Sequence, residues 1–174
     1  MKKLKIFSYQ EPWIWLEEYL SIVIKLLIKI KIFFKMKTSS YRLGVGIMLL
    51  NEKNKVFVGK RVDFKSAAWQ MPQGGINKGE KEETAAFREL YEETGIKKAK
   101  IILRSTNFFK YDIPLQLKKK LWKGKYIGQK QKWFVMKFTG KEENDINLNV
   151  AKREFSGWKW VNIEELEKLI VPFK

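Results

Sequence analysis

Three glutamates give the clearest chemical signal in the sequence, because Glu89, Glu92 and Glu93 stand at positions i, i+3 and i+4. On an α-helix this spacing places their carboxylates on one face, within a turn of each other. Carboxylates this close repel one another and raise one another's pKa unless a cation lies between them. An oxygen-only ligand set suits a hard divalent cation such as Mg²⁺ or Mn²⁺. The spacing therefore indicates either a metal site or an acidic helix face exposed to solvent.

The segment that carries these glutamates is predicted to be a helix. From about Lys81 to Thr94 it contains no Pro or Gly, is rich in Glu, Ala and Leu, and stops at Gly95, a combination typical of a helix with a glycine stop signal. The side of the helix away from the glutamates carries four residues that we expect to be buried: Ala86, Phe87, Leu90 and Tyr91.

Composition limits the chemistry. The 174 residues match the size of one domain. They include no cysteine and no histidine, which excludes disulfides, thiolate sites, and imidazole as base, nucleophile or zinc ligand. Hydrolysis would have to use carboxylates, Lys, Tyr, Ser or metal-bound water. The net charge of +17 favours polyanions such as nucleic acid, nucleotide phosphates or anionic membrane, without choosing among them.

Residues 1–35 differ in composition from the rest of the chain. The apolar run from Tyr19 to Phe34 is interrupted by Lys25, Lys29 and Lys31, which argues against a membrane-spanning helix. Three interpretations remain: an interfacial helix, a helix packed on the domain, or an upstream extension without function whose natural start is Met36. We favour the last two over membrane attachment, and expect a cytoplasmic protein with its domain in residues 36–174.

Hydrophobic patterning after residue 40 predicts an α/β fold with a mixed sheet and no internal repeat. A buried strand over residues 43–50 is followed by a turn and a hairpin partner over 55–61, and 69–73 is a short extended segment. The remaining predicted elements are strands over 100–103, 106–111, 131–138 and 157–161, a polar loop over 142–149, and a final helix over 163–170.

The glutamate helix belongs to a longer motif. Gly74, five residues, Glu80, seven residues, Arg88-Glu89-Leu90, one residue, Glu92-Glu93, one residue and Gly95-Ile96 resembles the Nudix box at every defined position. The resemblance implies an α/β/α sandwich in which a loop-helix-loop carries catalysis. It favours the metal site over the solvated acidic face.

The resemblance covers roughly residues 41–173, and is greatest to the bacterial RNA pyrophosphohydrolase branch, which includes dinucleoside polyphosphate hydrolases. The supporting segments are Tyr41-Arg42, Trp69 to Ile76, Gly128 to Phe134, and Glu154-Phe155 before Gly157. The Gly-Gln-Lys-Gln-Lys-Trp-Phe run beginning at Gly128 is the most specific to this branch.

The resemblance also implies roles for individual residues. Glu89, Glu92 and Glu93 would be metal ligands, Arg88 would orient them, and Glu154 would supply a further carboxylate as ligand or base. More than one Mg²⁺ or Mn²⁺ ion is expected. Gly74, Glu80 and Gly95 would be structural members of the box. Positions matching substrate contacts, each of which alone could be surface or core, are Arg42, Arg61, Gly75, Ile76, Tyr111, Gln129, Lys130, Lys132 and Phe173.

The expected function is metal-dependent removal of pyrophosphate from the 5′-triphosphate end of RNA, leaving a 5′-monophosphate, by a monomer. Two alternatives remain open: hydrolysis of diadenosine polyphosphates, and an RNA- or nucleotide-binding Nudix module without turnover. The chain ends at Lys174, where this branch usually continues into another helix. We therefore expect a C-terminally short domain with a weakened nucleobase contact at Phe173.

Overall fold

The computed structural model describes residues 21, 23–29, 40–63, 68–114, 116, 122–150 and 153–170. The chain divides into two compact units, Met1–Ser39 and Ser40–Lys174. In the first unit, residues 21 and 23–29 are helical (α1), and Ile24, Leu26, Leu27 and Ile28 are each about half exposed. Within the described part of the chain, no helix has the length and apolar character needed to cross a membrane.

The second unit is built on one mixed sheet of eight strands. In chain order they are β1 (Ser40–Leu50), β2 (Val56–Arg61), β3 (Trp69–Gln70), β4 (Gln73–Gly75), β5 (Ala99–Arg104), β6 (Phe109–Asp112), β7 (Tyr126–Phe138) and β8 (Phe155–Val161). The helices whose bounds the structure describes in this unit are α2 (Glu82–Thr94), α3 (Glu142–Asp145) and α4 (Leu166–Leu169), with 3₁₀ turns at Trp122–Gly124 and Ile163–Glu165. The predicted α/β class with a mixed sheet is confirmed.

Strands β1 and β7 form the centre of the sheet. They run parallel with a continuous register from Tyr41↔Gly128 to Leu50↔Lys137. The sheet order is β3-β2-β1-β7-β5, and β4, β6 and β8 pair with β1, β7 and β2 respectively. The predicted hairpin between β1 and β2 is present as an antiparallel pair at Leu50↔Val56. Because β4 pairs with β1, the glycine turn before α2 is fixed to the centre of the sheet.

Side chains alternate between the two faces of the central strands and form two apolar clusters. On one face Val45, Ile47 and Leu49 of β1 pack with Phe134 and Met136 of β7, and this cluster also contains residues of α2. The opposite face contributes a second cluster that includes Val56, Val58 and Met71, with Trp133 packed against it. Helix α2 therefore covers one face of the sheet and leaves the other to different elements.

Helix α2 starts and stops close to the predicted bounds. Gly95 ends it in the left-handed region, with φ of 72°, and donates its N–H to the Tyr91 carbonyl at 2.8 Å, as a glycine stop does. Leu90 is fully buried, which stabilises the packing of the helix by about 1.5 to 3 kcal/mol. The expected burial of Phe87 and Tyr91 is wrong, since they are 38% and 44% exposed. The apolar stripe that packs on the sheet is therefore narrower than expected.

Several other predicted elements differ in detail. The extended segment over 69–73 is two strands, β3 and β4, separated at Met71-Pro72, because Pro lacks the N–H that a sheet ladder uses. Strand β7 begins five residues before the predicted position 131, and β6 begins later than predicted, at Phe109. The polar loop contains one helical turn, α3, and the final helix begins as a 3₁₀ turn.

Candidate active site

The Arg88 guanidinium connects the carboxylates of α2 to the preceding loop. Its Nε and Nη2 donate to the two Glu80 oxygens at 2.7 and 2.8 Å, a bidentate pair. Nη2 also donates to the Gly75 carbonyl at 2.7 Å. Nη1 lies 2.8 Å from Glu89 Oε1 and 3.2 Å from Glu92 Oε2. A single side chain therefore fixes the loop and orients two of the three helix glutamates.

Glu80, in the loop before α2, has its charge fully paired by Arg88. The Arg88 hydrogen bonds, with a further bond from the Asn77 N–H at 2.8 Å, lower the pKa of Glu80 to about 2 against the opposing effect of burial. The same bonds to Glu80 raise the pKa of Arg88. Both groups stay ionised across the physiological range, so the loop is held by a permanent ion pair.

Gly74 is required by close packing. A Cβ built on it would lie 1.8 Å from Glu89 Cδ, so no side chain fits without moving the carboxylate. The Glu89 side chain is only 13% exposed, which leaves it little space to move. The first glycine of the motif therefore sets the position of the first helix glutamate.

Glu93 lies in a different environment from the other two glutamates. It is 3% exposed, and its Oε2 accepts the Gln73 N–H at 3.1 Å. Burial raises its pKa well above the usual value, and the charge of Glu154, a hydrogen bond with Glu154 and the charge of Glu89 raise it further. The chain thus brings Glu154, which is distant in sequence, against the last helix glutamate, with the charge of Glu89 close enough to act on it.

Arg61 lies beside this acidic group. Its Nε and Nη2 donate to Asp63 at 2.7 and 2.5 Å, and its Nη1 donates to Gln70 at 2.9 Å. Burial lowers the pKa of Arg61, but the bonds to Asp63 and the charges of Glu154 and Glu93 outweigh burial and raise it. A positioned guanidinium therefore stands next to Glu93 and Glu154.

Tyr111 and Arg42 extend the site along the sheet. Burial raises the pKa of Tyr111 to about 12, opposed by a hydrogen bond with Gln73 and by the charges of Arg42 and Arg61. Arg42 Nη2 lies 2.2 Å from where a Cβ of Gly75 would be. Two guanidiniums and a phenol therefore lie along the end of the sheet that holds the carboxylates, where they can bind phosphate oxygens.

Comparison with known proteins agrees with this geometry. The family model described as NUDIX domain matches residues 40–174. The chain belongs to the Nudix family. It is 53% identical over 134 residues to a protein of Rickettsia bellii named RNA pyrophosphohydrolase, an alignment that covers 77% of this chain and 83% of the relative.

Two solved structures share the Nudix fold at lower identity. The dihydroneopterin triphosphate pyrophosphohydrolase of E. coli has a TM-score of 0.58 and 19% identity, over 75% of this chain and 88% of that one. A binary complex of the C. elegans Ap4A hydrolase has a TM-score of 0.51 and 19% identity, over 72% and 84%. These two support the architecture.

Nudix hydrolases generally depend on divalent metal ions. Within the described residues, no three carboxylates lie close enough together to coordinate one metal ion. Glu89 and Glu92 are instead paired with Arg88. The donor set nevertheless fits a hard cation. Glu93 and Glu154 are oxygen ligands in contact, with Glu89 close enough to raise the pKa of Glu93, and a divalent ion would relieve that repulsion.

Beside the carboxylates the sheet carries a row of amide side chains. Gln131 Nε2 donates to Gln129 Oε1 at 2.8 Å and to Gln73 Oε1 at 3.2 Å. A pocket of about 370 Å³ opens next to them. It is lined by Gln70, Met71, Gln73, Phe109, Lys110, Tyr111, Gln131, Trp133 and Ile170. Apolar walls with a few amides are typical of small-molecule sites.

The remaining predicted contacts are placed differently. The Ile76 N–H, expected near the substrate, donates instead to the Leu43 carbonyl at 3.2 Å. Glu92 is 52% exposed and is held outward by Arg88. Lys130 and Lys132 alternate with Gln129 along β7 and so lie on the opposite face of the sheet from the pocket. Phe173 lies outside the described residues.

Sequence reasoning missed four residues of the site: Asp63, Gln70, Gln73 and Gln131. Asp63 binds Arg61 from two positions away, a local pair that sequence alone does not distinguish from a turn acid. The burial of Gln129 and Gln131 could have been predicted from one feature of the sequence. Gln129 and Gln131 alternate with lysines along a strand, and amides that share the face of Trp133 could have been expected to be buried.

Proposed function

We propose that this Nudix hydrolase removes pyrophosphate from the 5′-triphosphate end of RNA. In this reaction the phosphoanhydride between the α- and β-phosphates breaks, water supplies the hydroxyl, and the products are pyrophosphate and a 5′-monophosphate end. The name of the Rickettsia bellii relative, RNA pyrophosphohydrolase, supports the substrate. We also propose that the enzyme is a monomer and that it works in the cytoplasm, where transcripts are found.

One observation carries the proposal: the contact between Glu93 and Glu154. Two carboxylates in contact, one of them 3% exposed and with a raised pKa, are a costly arrangement for a binding module that needs only positive charge. The arrangement has a use in hydrolysis, where carboxylates hold cations and move a proton. The proposed metal ligands are Glu89, Glu92, Glu93 and Glu154.

The residues of the chain divide the work of the reaction. Arg88 and Gly74 hold Glu89 in place. The Glu93–Glu154 pair can accept the proton that the attacking water loses, at the carboxylate oxygen that the Gln73 N–H does not occupy. A bound divalent ion, when present, neutralises phosphate charge and lowers the pKa of water. The absence of histidine in the chain is consistent with this chemistry.

We assign recognition of the RNA end to the two arginines and the pocket that lie beside the carboxylates. Arg42 and Arg61 supply guanidiniums for the phosphate chain, and the pocket beside Tyr111 and Gln131 has room for a nucleobase. Tyr111 offers a ring and a phenol that stays protonated, because its pKa is about 12. Gln129 holds Gln131 in the orientation that faces the pocket.

The test measures pyrophosphate released from a 5′-triphosphorylated RNA oligonucleotide and, separately, products from a diadenosine polyphosphate. Each assay is run with Mg²⁺, with EDTA, and with the variant Glu93→Gln. The matched control is Glu83→Gln, on the same helix but exposed and paired with Arg104. We expect RNA turnover that requires the metal and Glu93 but not Glu83.

Two results would overturn this proposal. Turnover of the dinucleotide alone would assign the enzyme to dinucleoside polyphosphate hydrolysis. Tight RNA binding without products from either substrate, unaffected by EDTA, would identify a binding module that does not turn over.

A further inference from the structure

Strand β7 presents two different rows of side chains. Gln129 and Gln131 lie on the face with the pocket, while Lys130 and Lys132 alternate with them on the other face. The lysines share the parity of Phe134, which packs in the cluster that includes α2. The two lysines are therefore on the helix-bearing face, and they do not reach the pocket.

Aromatic rings hold these lysines in place. Lys130 Nζ and Lys132 Nζ lie 5.0 and 5.2 Å from the centroid of the Phe108 ring. Lys110 is paired with Lys130 across β6 and β7 and lies over the Tyr41 ring at 5.6 Å, and it also lines the pocket. We call these three lysines and two rings the lysine patch. Lys130 and Lys132 are separated along the strand by roughly 6.6 Å, twice the rise per residue.

The positive charge of the lysine patch is not neutralised within the described residues, where no acidic side chain lies within 4.0 Å of the three ammoniums. Lys132 donates to the Thr106 carbonyl at 2.8 Å, and the nearby Asp112 carboxylate accepts the Tyr41 hydroxyl at 2.6 Å. Surface lysines ordinarily spread apart in solvent. Two ammoniums over one ring instead concentrate positive charge, which a polyanion can neutralise.

The lysine patch and the active site use neighbouring residues of the same strands. Arg42 follows Tyr41 on β1, and Tyr111 follows Lys110 on β6. Gln129 precedes Lys130 on β7, and the register pairs Tyr111 with Gln129. Lys130 and Lys132 therefore lie on the opposite face of one end of the sheet from the pocket, and α2 covers the face that carries these two lysines. A flexible single strand with its first base in the pocket could pass around this end of the sheet to the lysine patch.

We propose that Lys110, Lys130 and Lys132, positioned by Phe108 and Tyr41, bind phosphates of the RNA downstream of its 5′ end. This inference rests on the proposed function for its choice of polyanion. The lysine patch would favour RNA over free nucleotides, because a nucleotide held in the pocket does not extend to the face that carries Lys130 and Lys132, whereas a longer chain does. It requires no sequence specificity.

Binding is tested with a single-stranded RNA of about 20 nucleotides that carries a 5′-hydroxyl, in EDTA, so that neither triphosphate nor metal contributes. Each phosphate contact on a single strand adds about 0.7 to the slope of log K against log salt. Lys130→Ala/Lys132→Ala should therefore lower the slope by about 1.4 and weaken binding roughly 25-fold at about 0.1 M salt. The variant Lys130→Gln/Lys132→Gln keeps the stems should the alanine variant fail to fold.

The control removes the same charge elsewhere. Lys97 and Lys159 also lie over single rings, those of Tyr91 and Trp69, but outside the lysine patch. Lys97→Ala/Lys159→Ala should change the affinity less than threefold. Equal loss of affinity in the two double variants would overturn the proposal, because the net charge and not the patch would then govern binding.

Turnover separates this proposal from the function on which it rests. We expect the Lys130/Lys132 variant to raise KM for a long triphosphorylated RNA about tenfold or more, with kcat unchanged, and to leave a triphosphorylated dinucleotide unaffected. Equal effects on both substrates would overturn the patch while the enzyme remains an RNA pyrophosphohydrolase. No wild-type turnover of either RNA, with patch-dependent binding intact, would overturn the function and keep the surface.

Discussion

Glu80 and Glu93 belong to the same motif, yet the structure places them in opposite electrostatic situations. Glu80 receives two hydrogen bonds from Arg88, and its pKa falls to about 2. Glu93 is buried against Glu154 and its pKa rises. Folding alone therefore pairs the charge at the Glu80 end of the motif. At the Glu93 end two carboxylates are in contact, and we propose that a cation and the substrate complete this group.

The largest expected effect is a loss of catalysis when Glu93 is replaced. Glu93→Gln keeps the size of the side chain and an acceptor for the Gln73 N–H but removes the charge and the basic oxygen. We expect RNA turnover to fall by about 10² to 10⁴-fold, measured as pyrophosphate release with Mg²⁺. A loss of less than tenfold would contradict the role assigned to Glu93.

The second effect acts through position. Gly74→Ala places a methyl group against Glu89, and a displacement of about 1 Å can reduce the rate roughly 10²-fold. We expect kcat to fall by about that factor with the fold retained, as judged by circular dichroism. The matched change at Gly157, where a Cβ would meet nothing within 4 Å, should leave kcat within a factor of two.

The third effect is a loss of stability when the Glu80–Arg88 ion pair is weakened. Glu80→Gln leaves Arg88 with weaker partners and should lower the free energy of unfolding by about 1 to 3 kcal/mol. Because the folded pKa of Glu80 is depressed, its advantage is complete above the unfolded pKa of about 4.5 and is lost as pH falls toward about 2. Urea unfolding of both proteins at pH 7 and near pH 2.5 measures this, and a difference as large at the acid pH as at pH 7 would argue against the ion pair.

The smallest effect is a gain in stability, whereas Glu80→Gln is expected to reduce stability. Without metal, Glu93→Gln removes repulsion with Glu154 and Glu89 and should stabilise the protein by about 1 kcal/mol near pH 8. Because the pKa of Glu93 is raised, ionising it costs stability as pH increases. Saturating Mg²⁺ should then raise the Tm of the wild type more than that of the variant. Destabilisation of the metal-free variant would show that Glu93 is held mainly by favourable contacts.

The helix, its glycine stop and the acidic motif could be predicted from sequence because their causes are local. Spacing i, i+3, i+4 fixes a helix face whatever surrounds it, and Gly95 adopts positive φ at little cost. Burial was harder to predict. Tyr91 and Leu90 are neighbours on one helix, yet only Leu90 is covered by the sheet, because the angle at which α2 packs depends on strands from other parts of the chain.

The sequence alone determined the family and the helix that carries the acidic motif, since these follow from residue identity and helical period. Only the tertiary structure decided which carboxylates meet. Glu154 reaches Glu93 because β8 pairs with β2, and the lysines of β7 face away from the pocket because neighbouring strand residues point in opposite directions. Contacts between distant segments depend on strand pairing and register, which no local spacing records.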